Sequence, residues 1–228
     1  MFCRCVPEKV RLLAFTMVII FVWMVPAWGQ EIANPDLDGD GWSDIAVYQT
    51  TTGNWFAVGS EVGFFTPALN FGGSGFIPVT GDYDGDGEQD AAVYQTSTGN
   101  WFIVQSSAGF KIVASFGGPG FIPVPADYDG DGWTDIAVYH TSTGNWFAVG
   151  SEVGFFTPAL NFGGSGFIPV VGDYDGDGEQ DAAVYQTSTG NWFIVQSSAG
   201  FRIVPSFGGS GFDPVLPILT VLKAMGLL

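Results

Sequence analysis

From residue 36 onward, short apolar runs alternate with turns rich in Gly, Asn, Ser and Asp. The stretch around residue 90 shows the pattern clearly. Phe76-Ile-Pro-Val-Thr-Gly-Asp-Tyr83 leads into an acidic loop, and Asp90-Ala-Ala-Val-Tyr94 leaves it with the composition of a strand buried on both faces. Thr96-Ser-Thr-Gly-Asn100 is a turn, because Gly and Asn tolerate positive φ. Trp101-Phe-Ile-Val104 then reads as a third strand, Ser106-Ser-Ala-Gly109 as a second turn and Phe110 to Phe116 as a fourth strand. Gly117-Gly-Pro-Gly120 crosses to the next such unit. No segment beyond residue 30 carries a sustained 3.6-residue apolar period with caps, so the pattern predicts an all-β chain.

The pattern is repeated. Asp36-Leu-Asp-Gly-Asp-Gly-Trp-Ser-Asp44 returns at 82–90, 127–135 and 173–181, at spacings of 46, 45 and 46 residues. A longer period is superimposed: residues 41–124 match 132–215 with eight differences, among them Gln49 against His140 and Ile122 against Asp213. The four units are thus two copies of a two-unit cassette. Four strands in about 46 residues is the size of one propeller blade, and a unit this small must bury its apolar face against its neighbours.

The N-terminus follows different rules. Arg4, Lys9 and Arg11 form a basic region, Leu12 to Val25 an apolar run, and Pro26-Ala-Trp-Gly29 a small-residue site that suits signal-peptidase cleavage. The apolar run is shorter than the roughly 20 residues of a spanning helix. Residues 1–29 are therefore expected to be a signal peptide, residues 30–217 the repeat domain, with units starting near 36, 82, 127 and 173, and 218–228 an apolar tail. Cleavage would remove both cysteines, Cys3 and Cys5, so the exported chain would have no disulfide to stabilise it. The expected location is outside the cytoplasm: secreted, periplasmic or on the cell surface, with no membrane span after cleavage.

Formal charge is −17, although only 13% of residues are charged. With 16% aromatics the chain is not a disordered acidic tail. The excess of acid also argues against nucleic acid as a partner, since a phosphate binder needs clustered Lys and Arg. The acid is concentrated: 16 of the 23 acidic residues are aspartates of the four loops. Asp occupies loop positions 1, 3, 5 and 9, with Gly at 4 and 6. The sets are Asp36, Asp38, Asp40 and Asp44; Asp82, Asp84, Asp86 and Asp90; Asp127, Asp129, Asp131 and Asp135; and Asp173, Asp175, Asp177 and Asp181. Alternate carboxylates on a tight turn converge, and a hard divalent cation removes their mutual repulsion. Calcium suits such a set better than magnesium, which resists dehydration and takes fewer protein ligands. Position 7 would add a backbone carbonyl, from Trp42, Glu88, Trp133 and Glu179, so that about four Ca²⁺ ions are expected.

The loop begins like an EF-hand, but position 12 is Val47, Val93, Val138 and Val184, each in a strand-like run instead of the bidentate acid at the start of a helix. Asp-x-Asp-Gly-Asp-Gly-x-x-Asp running into Ala-Val-Tyr, with Phe-Gly-Gly before Pro-Val, resembles instead the FG-GAP or VCBS-type repeat, related to the calcium-binding blades of the integrin α-subunit propeller. The Phe-Gly-Gly marks begin at Phe71, Phe116, Phe162 and Phe207. The resemblance covers residues 36 to about 215. It implies a β-propeller of four-stranded blades in which the acidic loop joins the first and second strands and its Asp residues hold the metal. A fifth unit starts at Phe212-Asp-Pro-Val215 but has no acidic loop. Three arrangements fit: the two ends share a blade in a four-bladed ring, the chain is a piece of a larger propeller, or it closes by self-association.

Little in the sequence supports catalysis. The single histidine, His140, stands where other units have Gln49, Gln95 and Gln186, and Glu61 and Glu152 are copies of one turn position. The recurring Trp55, Trp101, Trp146 and Trp192, and Phe76, Phe121, Phe167 and Phe212, are expected to pack between blades. The rival is a ring of sugar-stacking sites beside the Thr-Gly-Asn turns, on the rim opposite the acidic loops. The expectation is a non-catalytic adhesion or interaction module with a protein or glycan ligand, the alternatives being a lectin-like propeller or an accessory module of a polysaccharide-degrading enzyme.

Overall fold

A computed structural model describes residues 35–59, 62–68, 70–150 and 153–215. The leader at 1–29, residues 30–34, Glu61, Glu152 and the tail at 218–228 lie outside the described residues. Fifteen strands occur among the described residues, every pair of them antiparallel, and no helix is found there.

The strands form four separate sheets. The first contains β1 (Ile45–Gln49), β2 (Asn54–Gly59) and β3 (Gly63–Phe65). The second contains β4 (Phe76–Gly81), β5 (Asp90–Gln95), β6 (Asn100–Gln105) and β7 (Gly109–Val113). The third contains β8 (Phe121–Pro123), β9 (Ile136–His140), β10 (Trp146–Gly150) and β11 (Gly154–Phe156), and the fourth β12 (Phe167–Gly172), β13 (Asp181–Gln186), β14 (Asn191–Gln196) and β15 (Gly200–Val204). Each sheet is an up-and-down meander in chain order, the arrangement of a propeller blade. Among the described residues the fold is therefore an all-β, propeller-like array of four sheets that are not closed into a ring. The first sheet has three strands among the described residues; residues 30–34 lie outside them.

Differences in strand length follow prolines. The third unit has Pro125 where the others have Thr80 and Val171, and β8 stops at Pro123, leaving a single bridge between Ala126 and Asp135. Pro67 and Pro158 likewise end β3 and β11 after three residues, whereas β7 and β15, which have no proline there, run for five.

Each acidic loop after the first joins the first strand of a sheet to the second, as the resemblance implies. The second strands are the most buried: β5 and β13 are buried at all but their last residue. That explains their unbroken apolar run. Their tyrosines tie blade to crossover. Tyr94 Oη accepts the Gly118 N–H at 2.6 Å, and Tyr139 and Tyr185 do the same for Gly164 and Gly209. Phe-Gly-Gly is thus the segment that wraps the buried tyrosine of its own blade. A Cβ at Gly117 or Gly163 would collide with that hydroxyl, and both glycines have positive φ.

Candidate metal centres in the acidic loops

Each loop is shaped by its own first aspartate. Asp36 accepts the N–H groups of Gly39 and Gly41, one on each carboxylate oxygen, both at 2.9 Å. Asp82, Asp127 and Asp173 do the same for Gly85 and Gly87, Gly130 and Gly132, and Gly176 and Gly178. The aspartate at position 9 closes the loop from the strand side: Asp44, Asp90, Asp135 and Asp181 accept the N–H of Leu37, Tyr83, Tyr128 and Tyr174 at 2.7–2.9 Å. These bonds explain why carboxylates recur at positions 1 and 9 even before any ion is considered.

Within each loop three of the carboxylates converge. One oxygen from each of Asp36, Asp38 and Asp40 lies within 4.8 Å of the others, and so do those of Asp82, Asp84 and Asp86; Asp127, Asp129 and Asp135; and Asp173, Asp175 and Asp181. Four Asp-rich clusters able to bind a metal ion are therefore present. Two are built from positions 1, 3 and 5 and two from positions 1, 3 and 9. Asp131 and Asp177 at position 5 fall outside the tight sets of their loops; Asp177 instead accepts the Ser197 hydroxyl.

The electrostatics of the clusters are costly without a cation. Two like charges at 4 Å repel by roughly 4 kcal/mol at an effective dielectric of about 20. Burial raises the Asp90 carboxyl to about 6 and the Asp135 carboxyl to about 7, with neighbouring loop aspartates adding to the shift. Asp44 and Asp181 are raised for the same first reason. Every loop also contains a buried carboxylate oxygen with no hydrogen-bond donor: Asp38 Oδ2 and Asp44 Oδ1, Asp84 Oδ1, Asp135 Oδ1, and Asp175 Oδ1. Protein N–H groups satisfy the other oxygen of each of these residues, and four of them, Asp38, Asp84, Asp135 and Asp175, are members of the clusters. A cation would supply what they lack, and an all-oxygen set of carboxylates is the kind of donor set that calcium takes.

Two contributions to the loops were not visible in the sequence. The turn between third and fourth strands folds against the loop: Ser107 Oγ and Ala108 N–H donate to Asp84 Oδ2, and Ser106 Oγ donates to Asp86 Oδ2, with the same contacts from Ser197, Ser198 and Ala199 in the fourth unit. The repeated Ser-Ser-Ala-Gly was the available signal. The second contribution comes from the next unit. The side chains of Glu88, Trp133 and Glu179 at position 7 lie over Gly39, Gly85 and Gly130 of the preceding loop. Burial and then the acids of its own and the preceding loop raise the Glu88 carboxyl, and Glu179 is raised in the same way. Position 7 also donates its N–H to the position 5 aspartate of its own loop, as from Trp42 to Asp40 and from Trp133 to Asp131, both at 2.8 Å.

Three of the four recurring tryptophans, the turn asparagines and His140 have structural tasks. Trp101 and Trp146 are fully buried, Trp55 nearly so, and each sits against Tyr94, Tyr139 or Tyr48 at centroid distances of 5.0–5.2 Å. They have no free face for stacking on a sugar. Asn54, Asn100, Asn145 and Asn191 accept the N–H of residues 70, 115, 161 and 206, so their carbonyls are also committed. His140 Nδ1 faces Thr143 Oγ1 at 3.0 Å, where Gln95 and Gln186 accept Thr98 and Thr189 hydroxyls. Its ring does in the third unit what glutamine does elsewhere. The Thr-Gly-Asn turns and Gly-Gly crossovers lie together at one end of the strands, with Gly99 against Gly117, while the acidic loops lie at the other.

Residues 127–184, from the third acidic loop through most of β13, match the sequence profile of the FG-GAP-like repeat. No curated protein matches the chain.

Proposed function

We propose that this chain is an exported, calcium-stabilised interaction module of the propeller type, without catalysis of its own. The observation that supports it best is the fourfold recurrence of an aspartate cluster containing a buried, donor-less carboxylate oxygen. The FG-GAP-like match over 127–184 and the propeller-like array support the coarser part of the reading, an interaction module. Calcium would be held by the Asp residues at positions 1, 3, 5 and 9 and by the carbonyl at position 7. It would neutralise the loops and fix the ends of the first and second strands.

The ions would be structural, leaving the opposite rim for a protein or glycan partner outside the cytoplasm. Export is supported by the basic and apolar sequence before Gly29. The test uses the chain exported from a secreting host. We expect an N-terminus at or near Gln30, and retention on immobilised matrix proteins or glycans that a calcium chelator abolishes. A chain retained in the cytoplasm, or one bound to nothing in either condition, would contradict the reading.

A further inference from the structure

The contact between consecutive units is built the same way three times. The N–H at loop position 8 donates to the carbonyl at position 1 of the preceding unit: Gln89 to Asp36, Thr134 to Asp82 and Gln180 to Asp127, at 2.6–2.7 Å. The position 7 side chain covers the preceding position 4 glycine. A valine of the second strand packs on the preceding crossover: a Cβ at Gly72 would lie 3.1 Å from Val93 Cγ1, and one at Gly163 would lie 3.0 Å from Val184 Cγ1. The crossover phenylalanine meets the next fourth strand edge-on, as in Phe71–Phe110, Phe116–Phe155 and Phe162–Phe201.

The two halves of a fourth such contact stand apart at the ends of the array. On the first unit, Trp42 is 69% exposed and Val47 61%, against 1% for Val93, Val138 and Val184. On the fourth unit Phe207 is 71% exposed, whereas Phe71, Phe116 and Phe162 are half-buried, and nothing lies within 4 Å of a Cβ at Gly176. The strand complement matches too. β1 has no first strand beside it among the described residues. Phe212 to Val215 repeats the Phe-x-Pro-Val that pairs with the second strand elsewhere, yet forms no strand.

Identical contacts impose nearly identical rotations. If each were a quarter turn, the fourth unit would meet the first and make the fourth contact unaided. The exposed ends show that it does not. Closing the ring within one chain would therefore strain three well-formed contacts in order to gain one. We propose that the protein associates head to tail with a second copy, the end face of the fourth unit, with Phe207 and the Phe212–Val215 segment, docking on the β1 edge of the first unit. Such a heterologous contact makes a ring where the rotations sum to a full turn and a filament where they do not. The occupant is the best-characterised complement available, since the same two surfaces already bind each other three times within the chain.

The test is the mass in solution of the full exported chain, by sedimentation and light scattering in calcium. The natural sequence should sediment as two or more chains. Val47→Asp and Phe207→Asp should each leave a single-chain particle, and an equimolar mixture of the two should give a two-chain particle, because one intact head then meets one intact tail. Circular dichroism checks that each variant is folded. Should Phe207→Asp fail, Phe212→Asp, on an exposed residue outside any strand, serves as the tail variant. A natural sequence that stays single-chain at every concentration, closed on itself or covered by its own tail, overturns the proposal. So does a mass that the variants leave unchanged, or a mixture of folded variants that does not pair. None of these results bears on whether the loops bind calcium.

Discussion

Asp90 and Asp135 are held almost out of solvent, and without a cation their carboxyls titrate near 6 and 7. In an unfolded chain the same groups titrate near 4. Between those values the calcium-free fold binds more protons than the unfolded chain, so its stability falls as pH rises through 6 to 7. The expected outcome is a chelated protein that melts at higher temperature near pH 5.5 than near pH 8, with calcium removing or reversing that order. A chelated protein that gains stability with rising pH would contradict the account. Asp84 offers a second test, because its Oδ1 has no donor while Oδ2 accepts from Ser107 and Ala108. Asp84→Asn keeps the acceptor and removes the charge. It should lower the calcium stoichiometry by one while leaving the chelated protein as stable as before or more so.

At the scale of the elements, the tyrosine of the second strand and the Phe-Gly-Gly crossover form one device. Tyr94→Phe strands the buried Gly118 N–H that the hydroxyl accepts, at an expected cost of about 1–3 kcal/mol. At roughly 2–4 °C per kcal/mol for a domain of this size, calorimetry should show a drop of several degrees. Gly85 and Gly176 separate backbone strain from packing. Both have positive φ, but only Gly85 lies under a side chain of the next unit, that of Trp133. In the single-chain Phe207→Asp background, where no second copy covers Gly176, Gly85→Ala should therefore lower the melting temperature more than Gly176→Ala, and equal losses there would show that Trp133 contributes nothing. The strands, turns and loops could be read from the sequence because each unit repeats a period-two or fully apolar run between glycine-marked turns. What could not be read was long-range. Nothing local to Glu88 or Trp133 announces that its side chain covers the previous loop, and nothing local to Trp101 distinguishes a buried ring from a sugar platform. Both depend on where the neighbouring unit sits.

For the molecule as a whole, the charge and the open ends tell different stories. The acidity is mostly the loops: beyond residue 29 and outside them there are 4 acids and 3 bases. The ends are a matter of geometry, since three repeats of one contact leave its fourth instance divided between β1 and the region after β15. The same repetition that made the loops easy to find made the closure impossible to deduce, because rotation per unit is not written in any single repeat. The central claim, that the four loops are cation sites on which the fold depends, is tested most directly by titrating the metal-stripped protein with calcium in a calorimeter while following its melting temperature. The account predicts about four equivalents bound, protons released on binding near pH 6–7, and a melting temperature that rises with free calcium as binding to the folded state requires. No heat of binding above that of dilution, together with a melting temperature that calcium leaves unchanged, would contradict it.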